Sequence, residues 1–138
     1  MDAAEREDIR DLLARYNQAI DFGDADGWVA CFTPEGVFEC TGLPEGSPLG
    51  GRYEGAEALR GYAVTHFSKA RGRARHWNDS LVIDGDGQEA TMSCYLLALS
   101  VGRGLVGTTG VYRDRLRKVD GQWRFVHRHI AIDPPPST

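Results

Sequence analysis

Four β-rich runs fill the second half of this chain, and their spacing restricts the fold more than any other feature. Residues 75–83, 89–101, 105–119 and 122–133 are expected as strands. Between them stand Asp84-Gly85-Asp86-Gly87, Gly102-Arg103-Gly104 and Asp120-Gly121, which are hairpin-type turn signals. Gly107 and Gly110 fall inside one run, where a curved sheet would bend.

The first half has a helical period instead. From about residue 4 to 22, Ile9, Leu12, Leu13, Tyr16 and Ile20 form one stripe, with Arg6, Arg10, Asp11 and Arg15 off it. Gly23 is placed to stop this helix, and Asp24 to cap a short second one carrying Trp28, Val29 and Phe32. A strand at 36–40 is expected next, then a loop rich in Gly and Pro up to Arg52. Leu59, Tyr62, Ala63, His66 and Phe67 predict a third helix over 53–69, ended by Arg71-Gly72-Arg73.

Helices first and a strand meander afterwards make an α+β fold, with the helices packed on the concave face of a strongly curved antiparallel sheet. That arrangement is a cone, and a cone closed at one end is a small-molecule pocket. A single domain is expected over 1–133, with residues 134–138 as a Pro-rich tail.

Composition narrows the function. The chain has 138 residues, 41% of them hydrophobic, enough to bury roughly two thirds of its unfolded surface in one core. A net charge of −4 argues against a nucleic-acid partner. Cys31, Cys40 and Cys94 are odd in number and lack C-x-x-C spacing, which disfavours a disulfide framework or zinc ribbon and suits a reducing cytoplasm. There is no signal-peptide pattern, and no apolar run approaches the roughly 18 residues of a membrane span, so no membrane partner is expected. The H-x-H pair His127/His129 has no third ligand at obvious spacing, so no metal is assigned. Asp84–Gly87 lacks the terminal Glu of a calcium loop, and P-loop, G-x-S-x-G and dinucleotide fingerprints are missing.

The chemistry rests on Asp21, near the end of the first helix, and His76, at the start of the first long strand. Asp21 lies about 100° from Ile20 at 3.6 residues per turn, at the edge of the buried stripe, so contact is permitted. A carboxylate that accepts from one imidazole nitrogen fixes the tautomer and leaves the other nitrogen to take a proton. Tyr16, over a turn earlier, is placed to donate to a substrate oxygen, and Asn78 and Tyr95 to orient substrate. Strand alternation groups His76, Asn78, Ser80 and Val82 on one face, and Trp123, Phe125, His127 and His129 on another unless a bulge intervenes. Arg128 or His129 enters the cone; alternation alone leaves both open. Trp28, Phe32, Phe38, Leu59, Tyr62 and Leu97 are the expected apolar lining. The competing reading makes Asp21 a helix-end cap and His76 a structural histidine.

The order Leu13-Ala14-Arg15-Tyr16-Asn17-Gln18-Ala19-Ile20-Asp21-Phe22-Gly23-Asp24, then Trp28, Phe32-Thr33-Pro34-Glu35-Gly36, Arg75-His76-Trp77-Asn78, Gly110-Val111-Tyr112-Arg113-Asp114 and Asp120-Gly121-Gln122-Trp123-Arg124-Phe125-Val126-His127-Arg128 resembles the SnoaL-like branch of the nuclear transport factor 2-like superfamily. Scytalone dehydratase and bile-acid 7α-dehydratase-type members use an Asp–His dyad, and Asp21 and His76 resemble it. Tyr16 resembles the dehydratase tyrosine that precedes the acid, and Arg128 the assisting arginine of the last strand. The resemblance implies a cofactor-independent lyase or isomerase acting on a small hydrophobic cyclic, steroid-like or polyketide-like molecule, and a homodimer. The alternative is a non-catalytic binding or assembly module on the same cone.

Overall fold

A computed structural model describes residues 1–135. The elements run α1 (Ala3–Phe22), α2 (Ala25–Ala30), β1 (Phe32–Thr41), β2 (Gly51–Glu54), α3 (Gly55–Ala70), β3 (Ala74–Gly85), β4 (Glu89–Ser100), β5 (Leu105–Val119) and β6 (Gln122–Ile132). Part of the expected tail, residues 136–138, lies outside the described residues. The Gly23 and Asp24 caps are those the sequence implies, and Asp2 adds a cap at the start of α1. Asp2 accepts from the Glu5 amide at 2.8 Å and Asp24 from the Gly27 amide at 2.9 Å. Gly23 closes α1 in the left-handed region at φ 79°, and a Cβ there would meet the Phe67 ring at 2.9 Å. Glycine is therefore required twice over at this corner.

The six strands form one sheet in the order β2-β1-β6-β5-β4-β3. The β3–β6 meander is antiparallel throughout, as the turn signals require. Three details depart from expectation. Phe32 begins β1 instead of closing the second helix. Residues 51–54, expected as the end of the loop and the first two residues of the third helix, instead form β2 and pair with β1, Phe38 opposite Tyr53. Their own sequence is short and polar; the open edge of β1 makes them a strand. Finally β1 runs parallel to β6, so the sheet is mixed where a wholly antiparallel one was expected.

Two bulges decide which side chains face the helices. In β3 an extra residue is accommodated between Asp79 and Val82, with Ser80 at φ 57°. Strict alternation would keep Val82 on the His76 face; the bulge turns Val82 outward (58% exposed) and buries Ile83 instead. In β6 the extra residue is Val126, since Leu116 and Arg115 pair with Phe125 and His127. Trp123 and Phe125 face inward before it, and Arg128 and Ile130 after it.

Helices α1 and α3 cover the concave face. Trp28 is the hub of the core, with ring centroids 4.9–5.5 Å from Tyr16, Phe32, Phe38 and Tyr62. Burial of each such ring contributes about 1.5–3 kcal/mol, with about 0.5–1.5 kcal/mol more per well-placed aromatic pair. No helix among the described residues is long and apolar enough to cross a membrane.

Candidate active site

The last turn of α1 brings Asp21 against the start of β3. One carboxylate oxygen is hydrogen-bonded to His76 Nδ1, and the other accepts the His76 main-chain N–H at 3.2 Å. Both side chains are largely enclosed, at 6% and 12% exposure for Asp21 and His76. A carboxylate at a helix C-terminus opposes the helix dipole, and these two donors compensate it. They also fix the imidazole: Nδ1 faces the carboxylate, while Nε2 makes no hydrogen bond among the described residues and is not sealed from solvent. An imidazole held in this way accepts a proton at a single atom.

Asn78, two residues along β3, ties the strand to α1. Its Oδ1 accepts from Asn17 Nδ2 at 2.7 Å, and its Nδ2 donates to the Tyr95 carbonyl at 3.1 Å. Its amide was expected to orient substrate; in the structure it holds α1 and β3 in the register that lets Asp21 meet His76.

Tyr16 and Arg128 belong to a second buried cluster. Arg128 has no exposed surface. Its Nε donates to Asp114 Oδ1 at 3.0 Å, and its guanidinium lies 3.6 Å from the Tyr112 ring centre and 4.4 Å from that of Tyr16. Nη1 of Arg128 and Oδ2 of Asp114 remain without partners. Burial pushes the Asp114 carboxyl up to about 6, with Arg128 only partly offsetting this. Burial likewise raises the Tyr16 hydroxyl well above the ordinary phenol range.

The expected lining divides in two. Trp28, Phe32, Phe38, Leu59 and Tyr62 do face into the cone, but they pack on one another and are at most 8% exposed. Tyr95, Leu97 and His129 lie on the outer face of the sheet, outside the cone. Tyr95 (60% exposed) and Leu97 lie on the outer side of β4, where alternation from Cys94 and Leu96 sends them. His129 bonds Thr41 Oγ1 at 2.8 Å on the outer surface, because the Val126 bulge gives Arg128 the inward position. His127 pairs with Glu39 on that same side.

A second histidine stands beside His76. His66 continues the α3 stripe of Leu59, Tyr62 and Ala63, and was counted only toward helical periodicity. Its ring centre is 5.3 Å from that of His76 and 6.1 Å from that of Tyr62. It is 8% exposed, and its Nδ1 is buried without a partner. Burial pulls its pKa down to about 4, reinforced by His76 and opposed by Asp21. The signal was a polar residue at the seventh place of an otherwise apolar stripe.

Two clefts lie away from the Asp21–His76 pair. One of about 790 Å³ runs between α1, α2 and the β5–β6 turn, beside Asp11, Arg15, Asp24 and Arg124. Another, about 700 Å³, crosses the outer sheet face over Trp77, Tyr95, Leu97 and Val111. Neither is lined by Asp21 or His76.

Comparison with known proteins agrees with this fold. The family model of the SnoaL-like domain matches residues 1–129. The chain belongs to the SnoaL-like family. A function-unknown protein from Mycobacterium tuberculosis shares 34% identity with this SnoaL-like chain (TM-score 0.80), covering 94% of it and 72% of the other. A Nostoc punctiforme protein of unknown function with a cystatin-like fold superimposes at TM-score 0.86 with 25% identity, over 97% and 95% of the two chains. A proposed scytalone dehydratase from Novosphingobium aromaticivorans has the same fold (TM-score 0.77, 23% identity, 94% and 85% covered). A search of curated proteins gives no match.

Proposed function

We propose that this SnoaL-like domain is a cofactor-independent lyase or isomerase whose proton-transfer group is the Asp21–His76 dyad. One observation carries the reading: the Asp21 carboxylate clasps both the ring Nδ1 and the main-chain N–H of His76, leaving Nε2 unengaged. Nε2 takes a proton α to a substrate carbonyl, and the released electron pair forms the enolate. In an elimination, that pair becomes the new C=C bond as the β-hydroxyl departs, and the imidazolium returns its proton to give water. In an isomerisation it returns the proton to another carbon of the same substrate. Either reaction leaves the dyad unchanged.

A hydrophobic cyclic substrate suits the surroundings. The site is backed by the aromatic core, and Phe22, Val64 and Phe67, on the helices that carry Asp21 and His66, are solvent-exposed. Tyr16 and Arg128 form the buried depth of the cone, where Nη1 of Arg128 has no partner among the described residues. The filled cone favours a second reading, in which the domain binds or assembles without catalysis.

The test is hydrogen exchange or dehydration of cyclic ketones and β-hydroxyketones, followed by NMR in D₂O. Asp21→Asn and His76→Gln should each lower the rate about 10²-fold or more, the usual worth of a positioned general base. Variants as active as the parent chain would instead leave the assembly reading.

A further inference from the structure

We propose that His66 is a substrate-orienting residue, a neutral imidazole that hydrogen-bonds the substrate oxygen while His76 moves the proton. The inference rests on the reading of Asp21–His76 as the proton-transfer dyad, and it adds a group that no motif supplies.

A buried polar nitrogen without a partner is rare, because leaving it unsatisfied is expensive. Nδ1 of His66 is such an atom, and Nε2 makes no hydrogen bond among the described residues either. An apolar residue at this place on α3 would complete the stripe of Leu59, Tyr62 and Ala63 and avoid the penalty. The ring nevertheless lies 5.3 Å from His76, tilted by 40°. That separation is too great for a direct bond between the rings' facing atoms to be assumed, and none is present. It leaves an unpartnered imidazole next to the ring that carries the single free nitrogen of the dyad.

The chemistry of that edge follows from its charge. Burial holds the imidazolium form off until about pH 4, so at neutral pH the ring carries one N–H and one lone pair. It cannot serve as a general acid, since giving up its only N–H would create an imidazolate. It can donate a hydrogen bond to an oxygen on which charge develops, an interaction that strengthens from ketone to enolate. No proton changes hands at His66. The class of ligand is therefore a compact ketone or β-hydroxyketone whose oxygen reaches His66 while its α-carbon reaches His76.

The probe is 1-tetralone, a cyclic ketone, and the readout is exchange of its C2 hydrogens for deuterium in D₂O, followed by NMR. Alongside it, ¹⁵N spectra report the tautomer of His76. Replacing His66 by Phe should lower kcat by about 10-fold to 10³-fold, the range for loss of one donor to a developing oxyanion, with the His76 tautomer unchanged. Asn places an amide near the position of Nδ1 and Gln near that of Nε2; one of the two should recover most of the rate and so identify the nitrogen. Three results overturn the proposal. If the wild type exchanges no faster than buffer, or His76→Gln has no effect, the dyad reading falls and this one with it. If the dyad variants lose exchange but His66→Phe keeps it, only the role of His66 falls. If Phe, Asn and Gln all lose exchange and each disturbs the His76 tautomer, His66 is a packing residue.

Discussion

His66 makes a prediction about stability that is independent of catalysis. Its pKa falls from 6.5 to about 4 on folding, so between those values the unfolded chain binds more protons and acid favours unfolding. Its contribution is complete above pH 6.5 and is lost as the pH drops to 4, a difference of about 3 kcal/mol at 1.36 kcal/mol per unit. Asp114 acts in the opposite sense: its pKa rises from 3.8 to about 6, so its contribution is present below 3.8 and is lost as the pH rises through 6. The two overlap, and wild-type stability alone conceals them. Urea unfolding of the wild type and of His66→Phe from pH 7 to 4 separates them, because Asp114 is common to both. The wild type should lose stability relative to the variant as the pH falls; parallel curves would show that the His66 ring is not desolvated. Asp21 and His76 were legible as a candidate pair because their chemistry is distinctive at the residue level, and the structure brings them into contact. His66 was passed over because a histidine within an apolar stripe reads as core until its missing partners are seen.

Among the elements, the helices and the meander were legible, since each is set by short-range signals: a 3.6-residue stripe, the Asp24 cap, Gly23, and Gly-Asp turns. What short-range signals miss is the extra residue in a strand. The bulges at Ser80 and Val126 invert alternation beyond them, and so Val82, His129 and Arg128 could not be assigned correctly from period alone. Ser80 carries a left-handed φ of 57° on an exposed stretch of β3, a conformation disfavoured by a Cβ. Ser80→Gly should therefore stabilise the domain by about 0.5–1 kcal/mol, net of the chain entropy that glycine adds to the unfolded state. Ser80→Val should destabilise it, as thermal melts of the two variants would reveal; the opposite order would mean that β3 straightens freely. Strand β2 was missed for a related reason: four polar, Gly-led residues become a strand only by pairing with β1.

For the whole molecule, the outer sheet face carries Trp77, Tyr95 and Leu97, all more than a third exposed, beside Val111. A contiguous patch of large apolar side chains marks an interaction surface, and a two-fold pair is the commonest way for a chain to cover one. The homodimer expected by resemblance would use this face. Light scattering should give twice the mass of the 138-residue chain, and Tyr95→Lys with Leu97→Lys should return it to the monomer with the fold intact. A monomeric wild type at micromolar concentration would remove the dimer and leave this face for a different partner.

By itself the sequence determined the α+β class, the end of the first helix, the four-strand meander and the candidate pair Asp21 and His76. Each follows from periodicity, caps or side-chain chemistry that acts over a few residues. The tertiary structure alone decided that β1 runs beside β6, that the bulges send Arg128 inward and His129 outward, and that the aromatic lining closes on itself. It also decided that His66 stands next to His76. Such outcomes depend on pairing and packing between segments tens of residues apart, and no local pattern encodes them.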